Sequence, residues 1–141
     1  RYAIKALATP GHTDSCMSFY CSGRVFTGDA LLIRGTGRTD FQQGSSDRLY
    51  ESITKKLFAL PPDTQVYPAH DYRGNTSSTI DEEMRHNPRL AGKTREQFVK
   101  IMSELKLDQP KKIHEALPAN LGCGVTTQTP KPAAKPAERK S

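Results

Sequence analysis

Apolar and polar positions come in short runs over the first third of the chain and settle into helical spacing further on. Residues 2–7 (YAIKAL) form a short apolar run with one charge, which reads as a strand. Residues 17–21 and 24–27 read as two more strands, and Ser22-Gly23 between them is a hairpin turn signal. Residues 28–44 hold four glycines (28, 35, 37 and 44) and are too irregular for one element. Long ordered loops of that kind often carry function. Across residues 47–60, Leu49, Ile53, Leu57 and Leu60 fall on one helical face, with Ser46 as a cap and Pro61-Pro62 as a stop. Residues 65–67 are a brief strand running into Pro68, and residues 79–85 a short acidic helix extending to Asn87. Thr94 and Gln97 have capping-box spacing, after which Phe98, Ile101, Met102 and Leu105 recur at i, i+3, i+4 and i+7. Strand, strand, strand, helix, strand, helix, helix predicts a mixed α/β architecture.

Composition changes this picture at the C-terminal end. Residues 126–141 (TTQTPKPAAKPAERKS) lack aromatic and large aliphatic side chains, so this segment is expected to be a disordered tail following a folded part that spans residues 1–125. Lys131, Lys135, Arg139 and Lys140 against Glu138 place half of the formal net charge of +6 in that tail. The folded part is then only mildly basic, and a nucleic-acid role does not follow from overall charge. Cys16, Cys21 and Cys123 are three in number and lack CxxC spacing, which fits neither a disulfide framework nor a zinc ribbon. They read as packing residues in a reducing compartment. No apolar run approaches the ~20 residues of a membrane span, so no membrane partner is expected.

Chemistry concentrates at the ends of predicted strands. In Thr9-Pro10-Gly11-His12-Thr13-Asp14, Pro and Gly make a tight turn that presents an imidazole at a fixed angle. In Phe26-Thr27-Gly28-Asp29-Ala30, Gly28 lets the backbone turn so that Asp29 projects from the sheet edge. In Tyr67-Pro68-Ala69-His70-Asp71-Tyr72, a second His follows a strand. Two imidazoles and a carboxylate delivered from strand ends form a reasonable metal-ligand set. Singly, each is more often a surface, hydrogen-bonding or turn-forming residue. His86, before Asn-Pro, and His114, in a charged segment, stay in that class.

Together, TPGHT, FTGDALL and PAHDY resemble the C-terminal half of the metallo-β-lactamase pattern shared by glyoxalase II and the persulfide dioxygenases. The stretch GDALLIRGTGRTDFQQG, residues 28–44, resembles the dioxygenases, with Thr36 where some members have Cys. His12-Thr13-Asp14-Ser15-Cys16, Asn87-Pro88-Arg89-Leu90 and Pro118-Ala119-Asn120 also fit that branch. The resemblance implies the C-terminal half of an αββα sandwich. It implies one Fe(II) per chain in a 2-His-1-carboxylate set, with His12 and Asp29 as two ligands. The remaining His belongs to an upstream HxHxDH motif that is not among these residues, so this chain alone is expected neither to hold iron tightly nor to turn over. His70 corresponds to a ligand of the second metal in binuclear relatives, and here to a second-shell or vacant-site residue.

The implied reaction oxidises glutathione persulfide with O₂ to sulfite and glutathione. Glutathione carries two carboxylates, so Arg38, Tyr72, Arg89 and Arg34 are candidate substrate-binding groups, Arg being able to fork onto a carboxylate. For Arg34 and Arg89 a structural salt bridge is an equal reading, and Asp40 reads as the residue that orients the glycine-rich loop. A homodimer is compatible with the resemblance. So is a cytoplasmic location for a bacterial member, the reading that the Pro/Ala/Lys tail favours, or a mitochondrial one for a eukaryotic member. Two alternatives stay open. One is a glyoxalase II-like thioester hydrolase with a binuclear site bridged by Asp29. The other is a non-catalytic piece whose inner sheet face is an exposed apolar patch.

Overall fold

A computed structural model describes residues 2–41 and 43–108, together with 116 and 118. The chain divides into two compact units, 1–106 and 107–141, and every element named below lies in the first. The expected closing segment 113–125 and the tail 126–141 lie outside the described residues, apart from 116 and 118.

Strands β1 (Lys5–Ala8), β2 (Met17–Cys21) and β3 (Arg24–Gly28) are followed by the two-residue strands β4 (Leu31–Leu32) and β5 (Gly35–Thr36). Helix α1 (Ser46–Ser52) runs into a π-helical turn, Ile53–Leu57, and then come β6 (Gln65–Pro68), β7 (Ser78–Thr79), α2 (Ile80–His86) and α3 (Arg95–Glu104). The main sheet has the order β1-β2-β3-β6-β7, and β4 and β5 pair separately. Among the described residues only β3 and β6 pair in parallel; α1 and the π-helical turn lie in the crossover between them, as a parallel pair requires. The β2–β3 hairpin turns on Ser22 and Gly23, with φ of 47° and 73°. Positive φ at both positions matches the twist of the flanking strands.

Alternation divides the sheet into two faces. Leu7, Ser18, Val25 and Val66 are placed on one face by the pairings Leu7↔Ser18 and Val25↔Val66. That face carries the core: Leu49, Ile53 and Leu57, Ile80 from α2, and Phe98 and Met102 from α3 pack there. The other face holds the row Ala6–Phe19–Phe26–Tyr67, with Phe19 44% and Phe26 48% exposed.

Three expectations are corrected. The cap of α1 is Ser45, whose hydroxyl accepts from the Arg48 N–H, while Ser46 opens the helix and bonds Thr39 Oγ1 at 2.7 Å. The single helix over 47–60 is instead interrupted. Phe58 N–H donates to Ile53 O at 2.8 Å, and Thr54 Oγ1 donates to Tyr50 O at 2.7 Å. Leu49, Ile53 and Leu57 are spaced by four, and each such step overshoots a 3.6-residue turn by about 40°. A wider turn takes back that overshoot and keeps all three side chains buried. The first strand begins at Lys5 because β2 supplies pairing partners only from there on.

Helix α2 is tied down by a buried carboxylate. Glu83 is fully buried and accepts from Arg34 N at 2.9 Å, Ser78 Oγ at 2.7 Å and Asn87 Nδ2 at 2.8 Å, besides its ion pair with Arg34. Asn87 Nδ2 also donates to Gly35 O at 3.0 Å, which joins α2 to the β4–β5 hairpin. A fully satisfied network of this kind rigidifies what it connects.

Candidate metal centre

Strands β1, β3 and β6 point the same way, so their C-terminal ends lie along one edge of the sheet. Loops leaving the carboxyl ends of strands are the usual place for ligands in sheets with parallel pairs. His12 leaves β1, Asp29 directly follows β3, and His70 follows β6 by two residues.

The His12 loop is held by the helix beneath it. Ser45 N–H donates to Gly11 O at 2.8 Å, Ser52 Oγ donates to Pro10 O at 2.7 Å, and Lys56 Nζ reaches Ala8 O. Gly11 lies so close to α1 that a Cβ there would sit 2.3 Å from Leu49 Cα, and its φ of 141° is one that side chains resist. Arg48 pairs with Asp14 at the far end of the loop. At the other strand ends, Gly28 (φ 55°) turns the chain after β3, and Ala69 N–H donates to Gly28 O at 3.0 Å. That bond sets Asp29 beside His70.

Asp29 stands between two imidazoles. Its Oδ1 is 2.6 Å from His70 Nδ1, and its Oδ2 is 3.7 Å from His12 Nε2. His12 Nδ1 lies 2.7 Å from the Arg38 carbonyl oxygen. A carbonyl only accepts, so in the neutral ring this bond puts the proton on Nδ1 and leaves the lone pair on Nε2. The 3.7 Å gap is too long for a hydrogen bond. Donors sharing one ion at ~2.1 Å each lie roughly 3–3.4 Å apart in octahedral and tetrahedral sites, so a slight closing brings the pair onto a common metal. Carbonyl support of the distal ring nitrogen is the usual outer-shell arrangement for a metal-bound imidazole. Among the described residues no three His, Cys, Asp or Glu side chains converge on one point. His12 and Asp29 face one gap, and His70 engages the other carboxylate oxygen.

The metallo-β-lactamase superfamily model matches residues 2–70, the stretch that carries all three of these side chains. The human protein persulfide dioxygenase ETHE1, mitochondrial, is 53% identical over 131 residues, covering 92% of this chain and 51% of that protein. The crystal structure of ETHE1 from Myxococcus xanthus superposes with a TM-score of 0.83 at 57% identity, covering 89% of this chain and 56% of that one. The chain carries a metallo-β-lactamase domain. A further solved structure, TTHA1623 in a di-iron-bound form, is 35% identical with a TM-score of 0.56, covering 62% of this chain and 42% of that one. The chain spans about half the length of the curated relatives it matches.

On this metallo-β-lactamase scaffold the remaining candidates separate. Tyr72 is exposed and its ring stacks on His70 with centroids 6.1 Å apart. Arg38 contributes its carbonyl to His12, while its guanidinium forks onto Asp40, with Nε–Oδ1 and Nη2–Oδ2 both 2.7 Å. That hydrogen-bonded pair holds the Asp40 carboxyl below its ordinary range and Arg38 above its own. Arg89 donates to Thr36 O at 2.7 Å, and burial, with neighbouring Arg73, lowers its proton affinity. Arg34 is committed to Glu82, Glu83 and Ser78. Cys16 Sγ lies 2.9 Å from Thr13 Oγ1, and Cys16 and Cys21 are half-buried free thiols. His86 is exposed at the end of α2; His114 and Cys123 lie outside the described residues. Among those residues no helix is long and apolar enough to cross a membrane.

Sequence reading passed over Gly37. A Cβ there would lie 2.1 Å from Asp29 O and 2.9 Å from His12 Cγ, so only glycine lets the loop lie against both of these candidate residues. The glycine density of residues 28–44 was the available signal.

Proposed function

We propose that this chain is the C-terminal half, over residues 1–125, of the catalytic domain of an Fe(II)-dependent persulfide dioxygenase, which oxidises glutathione persulfide with O₂ to sulfite and glutathione. The observation that carries the reading is the facing pair of His12 Nε2 and Asp29 Oδ2, with His12 oriented by the Arg38 carbonyl. Identity of 53–57% to the persulfide dioxygenase relatives supports it. When bound, Fe(II) supplies a redox-active centre with positions left open for a persulfide sulfur and O₂. His12 offers a neutral imidazole and Asp29 a carboxylate, and a third ligand comes from the companion αβ half of the sandwich. That half packs on the open face that carries Phe19 and Phe26. His70 holds the Asp29 carboxylate from its outer side. The half-buried Arg89, with Arg73 near enough to lower its proton affinity, offers positive charge that suits a substrate bearing carboxylates, and Tyr72, stacked on His70, adds an exposed phenol.

A second reading rests on one feature. Asp29 turns one oxygen to each imidazole, as a bridging carboxylate does, and TTHA1623 holds two irons. In that case His70 is a ligand and the chemistry is thioester hydrolysis. The two are separated by purifying the protein that carries this chain anaerobically, measuring metal, and following O₂ uptake with glutathione persulfide. One iron per chain, and uptake abolished in Asp29→Ala, is the expected result. Two metals per chain and thioester hydrolysis without O₂ uptake overturns it.

A further inference from the structure

The carbonyl that orients His12 belongs to a residue whose side chain is clasped. Arg38 forks onto Asp40 through two 2.7 Å bonds, and its guanidinium carbon lies 4.1 Å from the Phe41 ring centroid. Side chains two residues apart, joined in this way, close a ring through the backbone of residues 38–40 and restrict its dihedrals. The far side of the loop is pinned as well. Gly44 N–H donates to Phe41 O at 2.8 Å, and Thr39 Oγ1 bonds Ser46 Oγ at 2.7 Å, at the start of α1. On the near side Gly37 is packed against Asp29 and His12 with no room for a Cβ. Residue 38 is thus fixed between a tight contact and a clasp, with its carbonyl aimed at His12 Nδ1.

We propose that Asp40 is a positioning residue: by clasping Arg38 it fixes the carbonyl that keeps His12 in the Nδ1–H form, with Nε2 free to bind a metal. The inference rests on His12 being a metal ligand, as in the reading above, and gives Arg38 a role distinct from substrate binding. An anionic substrate reaching the Nε–Nη2 edge of Arg38 would have to displace Asp40.

The test uses the metal-free protein that carries this chain, at a pH above the imidazole range. Two-bond ¹H–¹⁵N correlation spectra report the His12 tautomer, and Co(II) titration reports affinity. The wild type should show the Nδ1–H form. In Asp40→Asn the ring should divide between tautomers and Co(II) affinity fall about tenfold or more, the usual effect of losing an outer-shell partner. Asp40→Glu should recover most of both, and Phe41→Leu, which keeps the fork and removes the ring beneath it, should fall between. Wild-type tautomer and Co(II) affinity in a folded Asp40→Asn overturns the proposal and leaves the clasp a loop staple. Neither readout involves persulfide, so a tautomer shift in a protein that consumes no O₂ would uphold the inference and fail the dioxygenase reading.

Discussion

Val25 and Phe26 are consecutive residues of one strand, yet Val25 is 0% exposed and Phe26 48%. Strand periodicity sends them to opposite faces. On the Val25 side, α1, the π-helical turn and α3 close over the sheet with Leu49, Ile53, Leu57 and Phe98, all at 0%. On the Phe26 side, Phe19 and Phe26 pair across strands and Phe26 stacks on Tyr67 at 5.7 Å, without a layer above them among the described residues. A surface of that composition has the character of an interface core rather than of a solvated face. The contrast teaches that, among the described residues, one face of the sheet is finished by a packed layer and the other is left unfinished. The candidate metal edge lies at their common rim, because all three candidate side chains leave the ends of the strands that separate the two faces.

The largest effect should come from the finished side. Phe98 is fully buried, and its ring meets Tyr50 at 5.5 Å. Phe98→Ala should cost about 3–5 kcal/mol, a large part of any small domain's stability. Denaturant unfolding followed by circular dichroism checks this. A loss below about 1 kcal/mol would mean that the helical layer is loosely packed and that the comparison of faces is misdrawn.

A smaller and more local effect is expected at the rim. Gly37→Ala would force the chain away from Asp29 O, 2.1 Å from the new methyl carbon. The expected cost is about 1–3 kcal/mol, the range of overpacking. Besides the stability loss, the His12–Arg38 bond should break, so metal affinity of the protein that carries this chain should fall while α2 and α3 keep their helicity. Co(II) titration beside far-UV circular dichroism separates the two. Equal loss of helicity and affinity would show that the rim is not an independent region.

How far the sequence announced these regions depends on whether the signal is periodic or through space. The hairpin at Ser22-Gly23 and the capping box at Thr94 and Gln97 are local patterns, and both stand where expected. The apolar stripe Leu49–Ile53–Leu57 correctly placed a helical face on the core, but not the π-helical turn that lets a four-residue spacing stay aligned. Two adjacent serines offered the same cap chemistry, and the backbone chose Ser45. The strands β4, β5 and β7 are two residues long, too short for any period. At the site, His12, Asp29 and His70 were legible because each follows a strand with a turn residue. The roles of Gly37 and of the Arg38 carbonyl depend on contacts spanning 8 to 26 positions, which no spacing rule records.

The smallest expected effect belongs to the unfinished face, and it tests the comparison most directly. Phe26→Ser removes a ring that is half exposed and retains only its stack on Tyr67 and its neighbours across the strands. An aromatic pair contributes about 0.5–1.5 kcal/mol beyond area, and serine offsets part of that loss because it leaves less apolar surface in water. The stability of this chain by itself should therefore change by less than about 1 kcal/mol. Its tendency to associate, read by light scattering, should fall, because the contiguous apolar row is broken. A cost approaching that of Phe98→Ala would mean that Phe26 is covered in solution, by residues of this chain or by a second copy. Concentration dependence of the loss tells these apart: a copy-to-copy contact weakens on dilution, whereas a contact within one chain does not.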